Sequence, residues 1–244
     1  MKNYYKCMIL TMAALIAMLS NPLSVSAQEL NNKVMNKPYA DLRKWHLGFS
    51  IGMHTQTLGI TPNGIPDEDG LQWWTEQPGF QPGFNVTGLF DLRLNTYFNL
   101  RFTPGLAFGS RDMEMKTDNS DEVLRQSVKT AYLMFPIDLK FSSVRYRNAR
   151  PYLTAGVMPA VNLTRKRGEY LQLKPGEFFL TVGFGCDFYL PYFKFIPEVK
   201  FCFGLGDALN HNRPDLVDDP ATLKITNSIK KATSSMVMFT FYFE

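Results

Sequence analysis

The chain has 244 residues, of which 45% are hydrophobic and 14% aromatic, so it can bury a full hydrophobic core. A globally disordered chain is therefore not expected. Its formal charge is +4, and the loss of Lys2 and Lys6 with a leader would leave about +2. Because no long basic run remains, composition gives no support to nucleic-acid binding.

The N-terminus is typical of a secretory signal peptide. Lys2 and Lys6 precede an apolar stretch that ends near residue 19, and Val25-Ser26-Ala27 forms a small-residue cleavage site. The apolar stretch is too short for a transmembrane helix of about 20 residues. We therefore expect a cleaved leader at 1–27, a short periplasmic lead-in at 28–43 and a single domain at 44–244.

The first half of this domain contains four segments with period-two alternation, the pattern of β-strands. Residues 45–54 place Trp45 and Phe49 on one face and His46 and Ser50 on the other. Residues 84–94 and 98–108 follow with a tight turn between them, and a fourth strand carries Leu133 to Phe141 outward. The pattern predicts long loops at 55–82 and 111–126.

The second half contains four more strands. Residues 151–163 form the fifth, and residues 178–206 read as a long hairpin with a turn at 191–194. In its first arm Phe178 to Leu190 alternate with small or polar residues, and after the turn the parity reverses. Residues 236–243 form the last strand. We expect further long loops at 164–176 and 207–231.

These features predict an all-β fold, an eight-stranded antiparallel transmembrane β-barrel of the outer-membrane type. The hairpin arms have about 12 residues, longer than soluble strands of about 5–6 and suited to a tilted membrane-spanning strand. Short links alternate with long ones, which predicts periplasmic turns and termini and extracellular loops. A soluble lipocalin-type barrel is the alternative, but its exterior would then consist of glycines and sparse charges.

Aromatic residues near the short links are expected to form an interfacial girdle on the periplasmic side. They are Trp45, Tyr97, Tyr146, Tyr152, Tyr192, Phe193, Tyr242 and Phe243.

The inward parity carries four acidic and four basic residues. They are Asp91, Arg93, Arg101, Asp138, Lys140, Asp187, Glu198 and Lys200. An eight-stranded barrel has an interior that side chains fill. We therefore expect these charges to neutralise one another and plug the lumen, and not to form a diffusion pore.

Catalytic and cofactor motifs are sparse. His46 and His54 lie about 26 Å apart along one strand, too far to share a metal. A rim dyad of His54 and Ser110 is the one imaginable esterase-like pair. Cys186 and Cys202 fall on opposite faces of neighbouring strands, so no disulfide is expected. We expect no cofactor, no metal and no enzymatic activity.

The loops offer candidate protein contacts, because loops on a generic scaffold carry much of its function. The first loop contributes aromatic residues and the last contributes a charged, proline-bounded stretch. The candidates are Trp73, Trp74, Phe80, Arg213, Asp215 and Asp218.

From residue 45 onward, the chain resembles the PorT family of outer-membrane β-barrel proteins. The resemblance is carried by residues 132–140, 150–156, 183–189 and 197–201, and by the closing loop and strand at 210–243. Met134 departs from the acidic residue common in the wider superfamily. The resemblance implies a non-enzymatic accessory or assembly component of the type IX secretion system, which exports proteases and other cargo and is linked to gliding in relatives.

The expected partners are outer-membrane lipid and other secretion-system proteins, with no nucleic acid and no evident small-molecule substrate. Two other functions stay open. One is a stand-alone surface barrel of adhesive or protective type, and the other is a lipid-modifying barrel enzyme, which would need a rim nucleophile beside a histidine.

Overall fold

A computed structural model describes residues 35–62, 73–76, 81–117, 120–164, 173–210 and 229–244. The expected leader at 1–27 and the lead-in up to residue 34 lie outside these ranges. Within them, no helix is long and apolar enough to cross a membrane.

The described ranges contain one short 3₁₀ turn, Ala40–Leu42, and eleven strand segments that share one antiparallel sheet. The segments are β1 Trp45–Pro62, β2 Trp73–Glu76, β3 Pro82–Arg93, β4 Phe98–Phe102, β5 Gly105–Thr117, β6 Ser120–Met134, β7 Ile137–Ser142, β8 Ala149–Asn162, β9 Gly176–Tyr189, β10 Lys194–Gly204 and β11 Ile229–Phe243.

Two pairs of segments are single strands interrupted at a proline. The β4/β5 strand breaks at Pro104 and the neighbouring β6/β7 strand at Pro136, because proline has no N–H for the ladder. The register is the same on both sides of the interruptions, with Phe102 opposite Ile137 and Gly105 opposite Met134. With β2 as a short addition beside β5, the described chain therefore forms the eight strands that the sequence predicts.

The eight strands close into a ring, since β8 pairs with both β7 and β9 and β1 pairs with both β3 and β11. Paired residues can be followed once round the ring, through Trp45, Leu92, Leu100, Leu139, Ala155, Val182, Phe201, Val237 and Thr55. The path returns to β1 ten residues from its start. A stagger of ten over eight strands corresponds to a strand tilt of roughly 40°.

The apolar face of the ring points outward and the polar face points inward. Leu47 is 68% exposed and Phe49 57%, whereas Ser50 on the opposite parity is fully buried. A soluble barrel would bury the aromatic face, so this orientation is that of a barrel in lipid. It excludes the lipocalin-type alternative.

We call the end with the links at 94–97, 143–148 and 190–193 the turn end, and the opposite end the loop end. Trp45, Tyr97, Tyr146 and Tyr192 are exposed around the turn end, as expected for a girdle. The prediction is wrong for Tyr152 and Tyr242, which are buried in the lumen.

Strands extend further towards the loop end than the sequence predicts. The prediction of a loop at 111–126 is wrong for 111–117 and 120–126, because β5 runs to Thr117 and β6 starts at Ser120. Similarly, β1 runs to Pro62 and β11 starts at Ile229. Charged residues occupy both parities in 111–126, so the sequence there shows no apolar face from which to recognise a strand.

Candidate functional site

The predicted inward charges form a buried network in the turn-end half of the lumen, and Arg101 lies at its centre. Arg101 is on β4 and is fully buried. Its guanidinium contacts Asp91 Oδ2 of the neighbouring β3 at 3.2 Å and Glu198 Oε2 of β10 at 2.8 Å. Asn99 donates a further hydrogen bond to Asp91 Oδ1 at 2.5 Å. One cation therefore joins carboxylates from opposite sides of the barrel.

Two lysines complete the network. Lys140 Nζ lies 2.7 Å from Asp187 Oδ2, and Lys200 Nζ lies 2.5 Å from Asp138 Oδ2 and 3.2 Å from Glu198 Oε1. All five side chains are at most 4% exposed. Each charge of this network thus has an opposite charge in direct contact, which is what keeps buried ions from being prohibitively unfavourable.

Arg93 is the one predicted member that lies outside the network. It is only half-buried at the turn end, and its Nε donates to the carbonyl oxygen of Asn95 at 3.4 Å. Arg93 has the inward parity, but it is the last residue of β3, where the lumen opens. The prediction is therefore wrong at this position.

Tyrosines that the sequence analysis assigned to the girdle belong to the network instead. Tyr152 donates to Glu198 Oε2 at 2.7 Å, and Tyr242 donates to Glu198 Oε1 at 3.3 Å. Across the ladder from Tyr152 is Gly185, where a Cβ would lie 2.4 Å from the tyrosine hydroxyl oxygen. This glycine leaves the space that the phenol ring fills. The inward parity of Tyr152 was the sequence signal that places the tyrosine in the network.

A second buried cluster lies in the loop-end half of the lumen. Arg111 donates through Nε to Gln56 Oε1 at 3.1 Å and through Nη2 to the Tyr132 hydroxyl at 3.2 Å. Tyr132 in turn donates to Glu177 Oε1 at 2.8 Å, and Thr130 donates to Gln56 Oε1 at 3.0 Å. This cluster was not predicted from the sequence, because Arg111 was assigned to a loop.

The imagined His54–Ser110 dyad does not form. His54 is 2% exposed and faces the lumen, where its Nε2 lies 3.1 Å from Gln56 Nε2. Ser110 is exposed on the outer face of β5. Cys186 and Cys202 are free thiols, as predicted. Among the described residues, no group of three or more His, Cys, Asp or Glu is placed to hold a metal.

Of the predicted loop contacts, only two fall in described segments. Trp73 and Trp74 begin β2, whose backbone pairs with β5 opposite Thr117 and Lys116. Phe80, Arg213, Asp215 and Asp218 lie outside the residues that the structure describes.

The described part of the lead-in, from residue 35 onward, is held on the turn end through its 3₁₀ turn. Asp41 accepts hydrogen bonds from the Tyr189 hydroxyl and from Arg150 Nη1, the latter at 3.3 Å, and Arg145 Nη1 lies 3.5 Å away. Partial burial acts to raise the pKa of the Asp41 carboxyl, but these donors outweigh it and hold the pKa below its usual value.

Backbone contacts reinforce the docked lead-in. Asn36 N donates to Asn148 Oδ1 and Asn36 Nδ2 to the Tyr189 carbonyl oxygen, both at 3.0 Å. Arg145 donates to the carbonyl oxygens of Asn36 and Lys37, and its guanidinium stacks 3.5 Å from the centre of the Tyr189 ring. We call residues 36–42, held in this way, the clasp.

A third ionic group joins the last residue to the turn end. Glu244 Oε1 lies 2.5 Å from His46 Nδ1 and 2.8 Å from Lys194 Nζ. Burial alone would raise the pKa of the Glu244 carboxyl, but the hydrogen bond from His46 and the Lys194 ammonium lower it to about 2.

Chemically, the turn-end half of the lumen is a network of ion pairs and hydrogen bonds between side chains of the described strands. The carboxylates of the network are already occupied by arginine, lysine and tyrosine donors, so none is poised as a free acid or base for a substrate. The arrangement suits a rigid, filled interior.

Comparison with solved structures finds bacterial proteins of low sequence identity, among them the outer membrane protein OprG. OprG from Pseudomonas aeruginosa is 13% identical and has a TM-score of 0.47, with 81% of this chain and 92% of that chain covered. Neisserial surface protein A is 11% identical, with a TM-score of 0.43 and coverage of 82% and 98%. Ail of Yersinia pestis is 12% identical, with a TM-score of 0.38 and coverage of 82% and 99%.

No curated protein sequence matches this chain. A family model does match, over residues 26–210, and it is described as the outer membrane protein beta-barrel domain. The match covers more than half of the chain and includes seven of the eight ring strands. It agrees with the outward apolar face and the filled polar lumen, and the chain belongs to the outer membrane protein β-barrel domain family.

Proposed function

We propose that this outer-membrane barrel is a PorT-type, non-enzymatic accessory component of the type IX secretion system. The observation that carries the proposal is the plugged lumen, where Arg101, Lys140 and Lys200 bind carboxylates from several strands. A lumen filled in this way offers no route for a folded cargo protein, so the barrel acts through its surfaces and not as the conduit.

The motifs that carry the PorT resemblance support the proposal by their positions. Residues 132–140 and 150–156 supply Lys140, Asp138 and Tyr152, and residues 183–189 and 197–201 supply Asp187, Glu198 and Lys200. The resemblance therefore concerns the residues that build the filled interior. Under this proposal the turn end with the clasp faces the periplasm, the loops face the outside, and the partners are membrane lipid and other secretion proteins.

Deletion of the gene tests the proposed function. Mass spectrometry of the secreted and periplasmic fractions should find cargo proteins accumulating in the periplasm and missing outside, and the wild-type gene supplied in trans should restore secretion. Unchanged secretion in a strain that lacks the protein would contradict the proposal.

A stand-alone surface barrel is the second candidate, and the projecting strands favour it. β5 and β6 pair as far as Thr117 and Ser120, and β2 adds a further strand at Trp73. Such an extension offers a surface for adhesion. Normal secretion together with altered surface binding in the deletion strain would select this function.

A further inference from the structure

We propose that a cleft at the turn end binds the phosphate headgroup of an anionic phospholipid. The cleft lies between the clasp and the start of β1, and we call it the turn-end cleft. The proposal goes beyond the secretion role and does not depend on it, since it concerns how the barrel is seated in its membrane.

The turn-end cleft is large enough for a lipid headgroup. Its volume is about 520 Å³, within the range of about 300–1,000 Å³ that small-molecule sites occupy. Its walls come from the lead-in, the start of β1, the start of β10 and the last residue. The lining residues are Lys37, Pro38, Tyr39, Ala40, Arg43, Trp45, His46, Leu47, Lys194 and Glu244.

The charge of the cleft favours an anion. Lys194 is neutralised by Glu244, at 2.8 Å and 3.0 Å from its two carboxylate oxygens. Glu244 is the only acidic residue in the lining, and it also contacts His46. The remaining lysine and arginine of the lining are Lys37 and Arg43, and within the described ranges neither side chain has an ion pair. Two cations therefore line the cleft, and the described residues bring no opposing charge to them.

The apolar wall of the cleft points to a lipid and not to a soluble anion. Trp45 is 62% exposed and Leu47 68%, and both lie on the outward, lipid-facing parity of β1. Tyr39, 75% exposed, also lines the cleft. A cleft with cations at its rim and lipid-facing side chains along its wall matches a phosphodiester headgroup that is joined to acyl chains.

The clasp gives the cleft its shape. Asp41 fixes the 3₁₀ turn through Tyr189 and Arg150, and the Arg43 amide donates to the Ala40 carbonyl oxygen at 3.2 Å. These bonds hold Lys37 and Arg43 on either side of the turn, next to the point where β1 begins. The two cations are thus presented by an ordered segment at the level of the girdle.

The test measures lipid binding to the intact barrel by native mass spectrometry. The lipid probes are phosphatidylglycerol and zwitterionic phosphatidylcholine, and the soluble probe is glycerophosphoglycerol, the headgroup without acyl chains. The test variant is Lys37→Gln with Arg43→Gln. The matched control is Lys230→Gln with Lys231→Gln, which removes two exposed lysines at the loop end. Arg43, Lys230 and Lys231 are exposed and Lys37 is half-buried. Unheated gel mobility checks that each barrel is folded.

We expect wild type and the control to prefer phosphatidylglycerol. The test variant should bind it about 25-fold more weakly, because each Lys or Arg near an anionic lipid surface contributes about fivefold. Equal losses in the test and control variants would indicate unspecific charge attraction and overturn the proposal. Binding of glycerophosphoglycerol as tight as that of the lipid would assign a soluble phosphate ester and would also overturn it.

Discussion

Replacement of Arg101 by alanine should lower the free energy of unfolding of the barrel by about 3–5 kcal/mol, because it leaves buried carboxylates without their counter-ion. Asp91 and Glu198 each contact this guanidinium directly, and both are at most 2% exposed. Urea unfolding of the refolded barrel in lipid vesicles, followed by gel mobility, measures the change.

Arg93→Ala is the matched control for Arg101→Ala. Arg93 lies on the adjacent strand and is half-buried, and its Nε donates to the Asn95 carbonyl oxygen at the turn end, so its loss should change stability by less than about 0.5 kcal/mol. Adding Asp91→Asn and Glu198→Gln to Arg101→Ala should recover much of the lost stability, and this variant also serves if the single variant fails to refold. Equal stability of the two alanine variants would mean that the ion network contributes nothing.

A lysine in place of Val182 should destabilise the barrel by about 2–4 kcal/mol in a bilayer, the cost of a cation at the midplane of the lipid face. Val182 is 47% exposed and lies near the middle of β9, level with Phe201 and Ala155 on the neighbouring strands. In a soluble barrel the same change would place a lysine in water at little cost.

Val144→Lys provides the same substitution outside the lipid band. Val144 is 68% exposed in a link at the turn end, where a lysine should cost no more than about 1 kcal/mol. Urea unfolding in vesicles compares the two variants. If Val182→Lys were as stable as Val144→Lys, the outward face would not be a lipid face.

Period-two alternation predicted the fold well because lipid outside and a polar lumen inside give the two faces opposite chemistry. The same contrast identified Asp138, Lys140 and Lys200 as inward residues, and their partners were then limited to the other inward charges. Beyond the lipid band the two faces of a strand no longer differ in this way. Arg111 was therefore assigned to a loop, and the cluster that it forms with Tyr132 could not be foreseen.

Two other features depend on how distant parts of the chain pack together, which no local sequence pattern indicates. The clasp is set by Asp41 and Tyr189, whose hydrogen bond joins residues 148 positions apart. Arg93 has the inward parity, yet it sits where the strand leaves the lumen, so parity alone gave the wrong location. For Tyr152 the inward parity was the correct signal, and the residue type, which favoured the girdle, was the misleading one.

Ion pairs between side chains of several strands fill the turn-end half of the lumen. Electrical recording of the purified barrel in a planar lipid bilayer measures whether such a lumen conducts ions. We expect no long-lived conductance steps for the wild-type protein, because Arg101, Lys140 and Lys200 occupy the interior together with their carboxylates. A stable open channel of porin size would contradict it.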